Sequence, residues 1–205
     1  MYKYPLTFNS IDSEEKNSVN KVLRSEHFTM GKKVEEFERK FANWTGSKYS
    51  VMINSGSSAN LLVVESLLRG QRKKKYLKLG DEVIVPALSW PTTIWPIVQL
   101  GLVPVFVDSN KDDLSINFDK AESAISKKTK AVFMIHVLGN SSDMSKAKKF
   151  CDKFNLILLE DCCESLGSHY KKKHIGNFGL AGTFSFYFAH HICSIEGGAI
   201  CTNEK

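Results

Sequence analysis

The stretch that decides the fold is Leu156-Ile-Leu-Leu-Glu-Asp161, a short apolar run that ends on two carboxylates. Two runs of the same kind precede it, at Val103 to Asp108 and at Ala131 to Leu138. Helical patterns near residues 118–127 and 143–154 separate these runs. Near-continuous apolar strands that alternate with helices are typical of parallel strands buried on both faces. The sequence therefore predicts an α/β fold with a mainly parallel, helix-covered sheet.

Further elements extend this pattern in both directions. Near the end of the chain two strand-like runs, Thr183 to Phe188 and Gly198 to Thr202, follow each other without a helix, which predicts an antiparallel element in a mixed sheet. Gly46 is expected to stop a helix, and Ser10 or Asp12 to cap one. The other elements expected are strands at Tyr49 to Asn54 and Glu82 to Ala87, and helices at Ile11 to Arg24, Lys33 to Trp44, Ser57 to Leu68 and Thr92 to Leu100.

Composition limits the class of protein. With 42% hydrophobic and 24% charged residues in a chain of 205, it is typical of an ordinary globular protein. The net charge of +6 comes partly from Lys73–Lys75 and Lys171–Lys173, which could attract an anionic partner such as a nucleotide-linked substrate but more simply are solvated loop charge. No arginine-aromatic interleaving or zinc-finger spacing indicates a nucleic-acid module.

Cysteine usage and hydropathy indicate the compartment. The N-terminus has no apolar stretch suited to a signal peptide, and no apolar run approaches the ~20 residues that span a bilayer. Five cysteines show neither a paired framework nor CxxC spacing. We therefore expect a reduced cytoplasmic protein without a membrane segment, with buried thiols acting as small apolar groups.

Strand ends carry the residues suited to chemistry. Asn54-Ser-Gly-Ser-Ser-Ala-Asn60 lies between a strand and a helix, where small residues let N–H groups approach an anion, although an ordinary helix cap would look the same. Glu160 and Asp161 lie at the sheet edge where α/β folds bind ligands. One of them could hold a protonated heterocyclic nitrogen or a metal, or cap the next helix. Glu164 follows closely enough to share that site.

Three further side chains complete the set. Trp90 follows a strand end and could offer its face to a ring, although core packing is the commoner role of an isolated tryptophan. His190 and His191 could ligate a metal, but adjacent strand residues point to opposite faces and no partner lies at zinc-ligand spacing, so no metal site is expected. Together these positions offer a phosphate site, a ring face, a carboxylate and a base.

The residues resemble, in order and at consistent spacing, the DegT/StrS sugar aminotransferase family of fold type I pyridoxal-phosphate (PLP) enzymes. The resemblance covers essentially all 205 residues. The segments that carry it are Leu23-Arg-Ser, Phe28-Thr-Met-Gly31, Val34-Glu-Glu-Phe37, Asn54-Ser-Gly-Ser-Ser-Ala59, Asp81-Glu-Val-Ile-Val-Pro-Ala87, Pro104-Val-Phe-Val-Asp108, Glu160-Asp161, Gly182-Thr-Phe-Ser-Phe186 and Glu196-Gly-Gly-Ala199.

The family implies a domain organisation. Residues 1–205 would form a large, aspartate aminotransferase-like PLP domain, with N-terminal helices to about residue 47 and an α/β cofactor domain over about 48–205. The family's C-terminal small domain would be absent. The chain would then be a truncated product, one half of a split enzyme that acts with a separate C-terminal half, or an inactive protein kept for interaction.

The resemblance also implies roles for single residues. Gly56, Ser57 and Ser185 would hold the cofactor phosphate. Trp90 would stack on the pyridine ring and Asp161 would pair with its nitrogen. The remaining implied positions are Glu164, which would reach the ring hydroxyl, and His190, which stands where the family has its Schiff-base lysine.

A histidine at this position resembles the nucleotide-sugar 3-dehydratases of the family, which act in 3,6-dideoxysugar biosynthesis. The residues resemble the GDP-sugar branch of this group at Phe28-Thr-Met-Gly31, Ser89-Trp90, Cys163-Glu164 and His190-His191-Ile. This resemblance implies GDP-4-keto-6-deoxymannose as the substrate. Pyridoxamine 5′-phosphate (PMP) or PLP would be held noncovalently. His190, with an ordinary pKa of about 6.5, would move the protons of C3 dehydration. Glutamate would regenerate PMP, and the family implies a homodimer.

Two enzyme alternatives remain at this point. A sugar aminotransferase of the same family would need the lysine, so His190 argues against it. A related branch acts on a CDP-linked 4-keto-6-deoxyglucose with an iron–sulfur cluster, and Cys163 stands where that branch has one cluster cysteine. Two features favour the GDP-sugar type, namely the segment Phe28-Thr-Met-Gly31 and the residue Glu164.

Overall fold

The computed structural model describes residues 4–5, 7–70 and 77–204, so the lysine run Lys73–Lys75 lies outside the described residues. The helices are α1 Ser13–Arg24, α2 Lys32–Thr45, α3 Gly56–Arg69, α4 Pro91–Gln99, α5 Phe118–Ser123 and α6 Met144–Phe154, with a 3-10 helix at Val137–Gly139. The strands are β1 Tyr49–Ile53, β2 Glu82–Pro86, β3 Val103–Val107, β4 Thr129–Ile135, β5 Ile157–Asp161, β6 His169–Tyr170, β7 Lys173–His174, β8 Ala181–Ser185 and β9 Gly198–Thr202.

Seven strands form one sheet in the order β1-β9-β8-β5-β4-β2-β3. The pairs β8·β5, β5·β4, β4·β2 and β2·β3 are parallel. Strand β9 is antiparallel to both of its neighbours, β8 and β1. The predicted mixed, mainly parallel sheet is confirmed, and β9 is its antiparallel element. Because β9 runs against the other strands, its first residue lies at the edge where the others end.

Apolar side chains fill both faces of this sheet. One buried cluster joins α3 and α4 to the sheet through residues such as Val63, Leu67 and Phe133. A second joins α5 and α6 to the opposite face through Met134, Met144 and others. Burial on both faces explains why β4 and β5 read as continuous apolar runs rather than alternating ones.

The N-terminal helices begin and end where the sequence predicts. Asp12, one of the two cap residues considered, accepts the backbone N–H of Glu14, and Glu15 accepts the N–H of Asp12, forming a capping box. Helix α2 stops at Gly46, which has a left-handed φ of 79°. Phe41 of α2 packs edge-on against Phe184 of β8 at 5.2 Å between ring centroids. This contact holds α2 against the part of the sheet that contains β8.

No described helix is both long and apolar enough to cross a membrane. The five cysteines all lie among the described residues and form no disulfide with one another, and three of them are buried.

Strands β6 and β7 form a hairpin with a two-residue loop, which the sequence does not predict. Its loop consists of Lys171 and Lys172, whose φ values are 47° and 66°. Positive φ at both loop positions is typical of a type I′ turn, which favours Asn-Gly because side chains rarely adopt this conformation. A Lys-Lys pair therefore gives no turn signal, and the hairpin carries backbone strain.

We expect Lys172→Gly to raise the free energy of unfolding by about 0.5–1 kcal/mol, because glycine adopts positive φ without the cost that a side chain imposes. Denaturant unfolding followed by circular dichroism measures the change. Lys127→Gly is the matched control, since Lys127 lies in a loop outside the set of residues with positive φ. An equal gain in the control, or a loss at position 172, would contradict the strain argument.

Candidate active site

One cavity of about 880 Å³ opens at the sheet edge where β1, β2, β4, β5 and β8 end and β9 begins. Its volume lies within the range of roughly 300–1,000 Å³ that small-molecule sites occupy. The residues that the sequence singles out for the site all line it: Gly56, Ser57, Trp90, Asp161, Glu164, Ser185 and His190. They are spread over more than 130 positions of the chain, and the fold brings them together.

Helix α3 starts at this cavity. Ser55 caps the helix by accepting the N–H of Ser58. The N–H groups of Gly56 and Ser57, at the first two helical positions, have no intrahelical acceptor. These two N–H groups, with the hydroxyls of Ser57 and Ser185 nearby in the lining, form a site suited to an anion such as phosphate.

Close packing around this helix start requires glycine. A Cβ on Gly56 would lie 2.6 Å from Cβ of Ser185 and 2.7 Å from Sγ of Cys163. A Cβ on Gly198 would overlap the backbone C and O atoms of Ser55 and lie 2.7 Å from the backbone N of Gly56. Strands β8 and β9 therefore press directly on the first turn of α3.

The two carboxylates at the end of β5 point to opposite faces, as neighbouring strand residues do. Glu160 turns away from the cavity and accepts the N–H groups of Gly176, Phe178 and Gly179. Asp161 lines the cavity and is 2% exposed. Asp161 is thus the carboxylate available to a ligand, while Glu160 holds the loop before β8.

Two partners of Asp161 have no role assigned to them from the sequence, although Asn60 ends the candidate segment 54–60. Oδ2 of Asp161 accepts hydrogen bonds from Oγ1 of Thr93 at 2.7 Å and from Nδ2 of Asn60 at 2.8 Å. Both residues sit one helical turn into a helix that starts at the cavity. A polar residue on the apolar face of such a helix is the signal that could have found them.

Trp90 lies at the cavity rim and is 64% exposed. Core packing, the role favoured for this tryptophan on its own, is therefore wrong. Pro91 follows at the first helical position of α4, and its fixed φ starts the helix directly after the ring. The indole is left free to stack on a planar ligand.

The side chain of Glu164 is hydrogen-bonded to the segment that follows β4 in the cavity wall. Its Oε2 accepts the N–H of Leu138 at 3.0 Å. Leu138 follows β4 with a positive φ of 51°, and its side chain stands 79% exposed beside the cavity. The hydrogen bond stabilises this strained backbone, and Oε1 of Glu164 is left for a ligand.

His190 and His191 lie in a turn after β8 rather than on a strand, and both line the cavity. The expectation that they point to opposite faces is wrong because β8 ends at Ser185. Burial lowers the pKa of His190 below its ordinary value of 6.5, and the nearby charge of Glu164 opposes this shift in part. At neutral pH His190 is therefore a neutral base.

Cys163, which also lines the cavity, carries a neutral thiol. Burial raises the pKa of this thiol well above its ordinary value, and the charge of Asp161 adds to the effect. A protonated thiol is neither a good nucleophile nor a metal ligand.

Among the described residues, one group of three potential metal ligands is close together, namely His136, Glu160 and Cys162, with atoms within 4.8 Å of one another. All three side chains are buried and have protein partners. Nδ1 of His136 accepts the N–H of Ser142, so its Nε2–H donates to Glu160. The hydrogen bonds of Glu160 to the backbone give this group a structural role.

Known proteins with similar sequences exist for this chain. The model of the DegT/DnrJ/EryC1/StrS aminotransferase family matches residues 9–205. GDP-4-keto-6-deoxy-D-mannose 3-dehydratase of Yersinia pseudotuberculosis is 45% identical over 205 residues, which are 100% of this chain and 52% of that protein. The chain therefore spans about half the length of the curated relatives it matches.

Solved structures give the same result. The E. coli GDP-4-keto-6-deoxy-D-mannose 3-dehydratase with bound hydrated PLP matches with a TM-score of 0.93 and 44% identity, over 100% of this chain and 52% of that one. A structure of such an enzyme with a trapped PLP-glutamate geminal diamine matches with a TM-score of 0.93 and 43% identity, over 98% and 52%. The resemblance seen in the sequence is confirmed: the chain belongs to the DegT/DnrJ/EryC1/StrS aminotransferase family.

Proposed function

We propose that this chain is the cofactor-binding part of a PMP/PLP-dependent enzyme that removes the C3 hydroxyl of GDP-4-keto-6-deoxymannose, a step of 3,6-dideoxysugar biosynthesis. The observation that carries the proposal is His190. It lines the cavity together with Asp161 and Trp90, and no lysine is among the described residues of that lining. A site of this family without its lysine has a base but no amine to link covalently to the cofactor.

The cavity fits PMP or PLP at three points. The first turn of α3, which tolerates only glycine at position 56, suits the phosphate. The exposed face of Trp90 suits the ring. The buried carboxylate of Asp161 suits a protonated ring nitrogen, because burying a negative charge is costly unless a positive group pairs with it.

When bound, the protonated pyridine ring supplies an electron sink. The residues of the chain bind and orient it and move protons. Gly56, Ser57 and Ser185 hold the phosphate, and Glu164 holds the ring hydroxyl. His190 would take up a proton from the C4′ carbon and give a proton to the C3 hydroxyl of the sugar, which would leave as water. Histidine does so without forming a covalent link of its own.

The activity of the whole protein needs more than this chain's cavity. We propose that glutamate regenerates PMP and that the enzyme works as a homodimer, with a C-terminal half supplied either in the same protein or by a separate chain. Exposed apolar side chains at the cavity rim, among them Trp90 and Leu138, support a covered site. The lack of a disulfide among the five described cysteines supports a reducing compartment such as the cytoplasm.

The pH profile tests the base. Because burial lowers the pKa of His190, its neutral form predominates at neutral pH, and the rate falls as pH drops through the lowered pKa. We expect the acidic limb of kcat/KM below pH 6.5. Glu164→Gln removes the charge that raises this pKa, so the limb moves to still lower pH. Glu122→Gln, an exposed change outside the cavity, leaves the limb in place. A limb above 6.5, or a shift to higher pH, would contradict the assignment.

A borohydride experiment tests the function. The purified chain is mixed with PLP or PMP, and the absorbance is recorded before and after reduction. We expect binding with no borohydride-stable link to the protein, together with turnover of GDP-4-keto-6-deoxymannose in the presence of glutamate when the C-terminal half is supplied. A covalent link, or transfer of an amino group to the sugar, would instead indicate the aminotransferase. Failure to bind either cofactor would indicate an interaction protein.

A further inference from the structure

Asp161 is held by an unusually complete set of neutral donors. Its Oδ2 accepts Oγ1 of Thr93 and Nδ2 of Asn60, and its Oδ1 accepts the N–H of Cys163 at 3.1 Å. The two donors to Oδ2 come from different helices, α4 and α3. A carboxylate held from two sides in this way has one orientation.

The orientation of Asn60 is itself fixed. Its Oδ1 accepts Oγ1 of Thr183 at 2.6 Å, and its Nδ2 also donates to the carbonyl of Thr92 at 3.2 Å. With its carbonyl oxygen occupied by a hydroxyl donor, only the amide nitrogen can face Asp161. Asn60, Thr93 and Thr183 are each 0% exposed, so water does not compete for these bonds.

The two oxygens of Asp161 are therefore unequal. A carboxylate has about four acceptor positions. Oδ2 uses two of them on Asn60 and Thr93, whereas Oδ1 uses one on the backbone N–H of Cys163, whose thiol also lies close to the carboxylate. Because Asp161 lines the cavity, Oδ1 is the oxygen with capacity for a ligand.

The charge of Asp161 has no cationic partner in an ion pair within the part of the chain that the structure describes. Neutral donors stabilise a carboxylate without cancelling its charge. Buried charges are ordinarily paired, so this carboxylate is built to receive a positive group from the cavity.

We propose that Asn60 and Thr93 are positioning residues that hold Oδ2 of Asp161 so that Oδ1 faces the protonated ring nitrogen of the cofactor. The inference rests on the proposed function for the identity of the cofactor. Thr183 belongs with these two residues because it fixes the orientation of Asn60. Its hydrogen bond to Asn60 links the phosphate-binding helix α3 to β8, the strand that leads to His190. The three residues act through Asp161 and touch no reacting atom.

Paired substitutions at Thr93 give the test. Thr93→Val keeps the shape and removes the hydroxyl, while Thr93→Ser keeps the hydroxyl. Asn60→Leu removes both functions of the amide. Thr45→Val is the matched control, because Thr45 is a buried threonine whose hydroxyl bonds to the backbone of α2 and not to Asp161.

Three measurements are made on each variant: the orientation of Asp161 in a cofactor-free crystal structure, the dissociation constant of PLP, and the pH dependence of the absorbance of bound PLP. We expect Asp161 to turn in Thr93→Val and Asn60→Leu. The dissociation constant rises about tenfold, as for a lost hydrogen bond to a charged group. The absorbance, insensitive to pH near neutrality in the unmodified chain, becomes sensitive as the ring nitrogen loses its proton. Thr93→Ser and Thr45→Val behave as the unmodified chain.

The outcomes separate this inference from the proposed function. If the unmodified chain binds PLP and Thr93→Val binds it equally well with an unchanged spectrum, the positioning role is wrong. If the unmodified chain binds neither PLP nor PMP, the proposed function fails, and the crystal structures decide the rest. If Asp161 has then turned in Thr93→Val and Asn60→Leu, the structures support the positioning role of Thr93 and Asn60. If Asp161 has not moved, the positioning role is wrong.

Discussion

We expect the replacement of His190 by asparagine to lower the rate of the proposed C3 dehydration by a factor of about 10²–10⁴, the contribution usual for a positioned general base. Asparagine fills a similar volume and can still donate a hydrogen bond, but it takes up no proton. The bonds that support the phosphate and ring sites do not involve residue 190, so PMP binds with a nearly unchanged dissociation constant. The assay follows loss of GDP-4-keto-6-deoxymannose with PMP and glutamate when the C-terminal half is supplied.

His169→Asn is the matched control, because His169 is an exposed histidine on the β6–β7 hairpin. We expect its rate to equal that of the unmodified protein. His190→Lys is the informative counterpart, since it restores an amine at the cavity and should give a borohydride-stable link to PLP. Retention of full dehydration activity by His190→Asn would exclude histidine as the base.

Replacing Gly198 with alanine destabilises the fold by about 3 kcal/mol or more, at the upper end of overpacking costs. The atoms that the new methyl group would meet are backbone atoms of Ser55 and Gly56, which cannot rotate away as a side chain can. Either β9 moves off the sheet or the first turn of α3 moves off β9. For a chain of this size the melting temperature falls by roughly 6–12 °C, measured by calorimetry. PLP binding is lost along with it.

Gly31→Ala is the control for this change. Its new Cβ would meet the imidazole of His27, which is exposed and can turn away. We expect a change in melting temperature of no more than a few degrees. Equal losses in the two variants would show that glycine entropy, rather than contact with α3, is what matters at position 198.

Much of this architecture could be predicted from sequence, because strong local signals agreed with the tertiary structure. The apolar runs around residues 103–108, 131–138 and 156–161 became β3, β4 and β5, and the absence of a helix between the last two strands correctly indicated an antiparallel pair. The candidate site residues follow strand ends, and parallel strands end at one edge of a sheet. Their meeting in one cavity follows from that rule, while their individual roles stay predictions.

The remaining features depend on contacts that no local pattern encodes. The β6–β7 hairpin has lysines where turns favour Asn-Gly. Trp90 is exposed at the start of α4, although tryptophan is usually packed in a core. Asn60 and Thr93 look like ordinary helix residues until Asp161 approaches from a strand far along the chain. Sequence reasoning finds the group that faces a ligand more readily than the groups that hold it.

The direction of β9 has a consequence for the order in which the molecule folds. Among the described strands, β1 pairs only with β9, with Tyr49 opposite Thr202, so this pairing closes a loop that contains most of the chain. Contacts between residues so distant in sequence form slowly, because the entropy of closing the loop must be lost before any bond rewards it. The parallel strands β2 to β5 can associate earlier. We expect the start of α3 to pack against β9 last. Residues 198–202 must therefore have been synthesised before any cofactor could be bound.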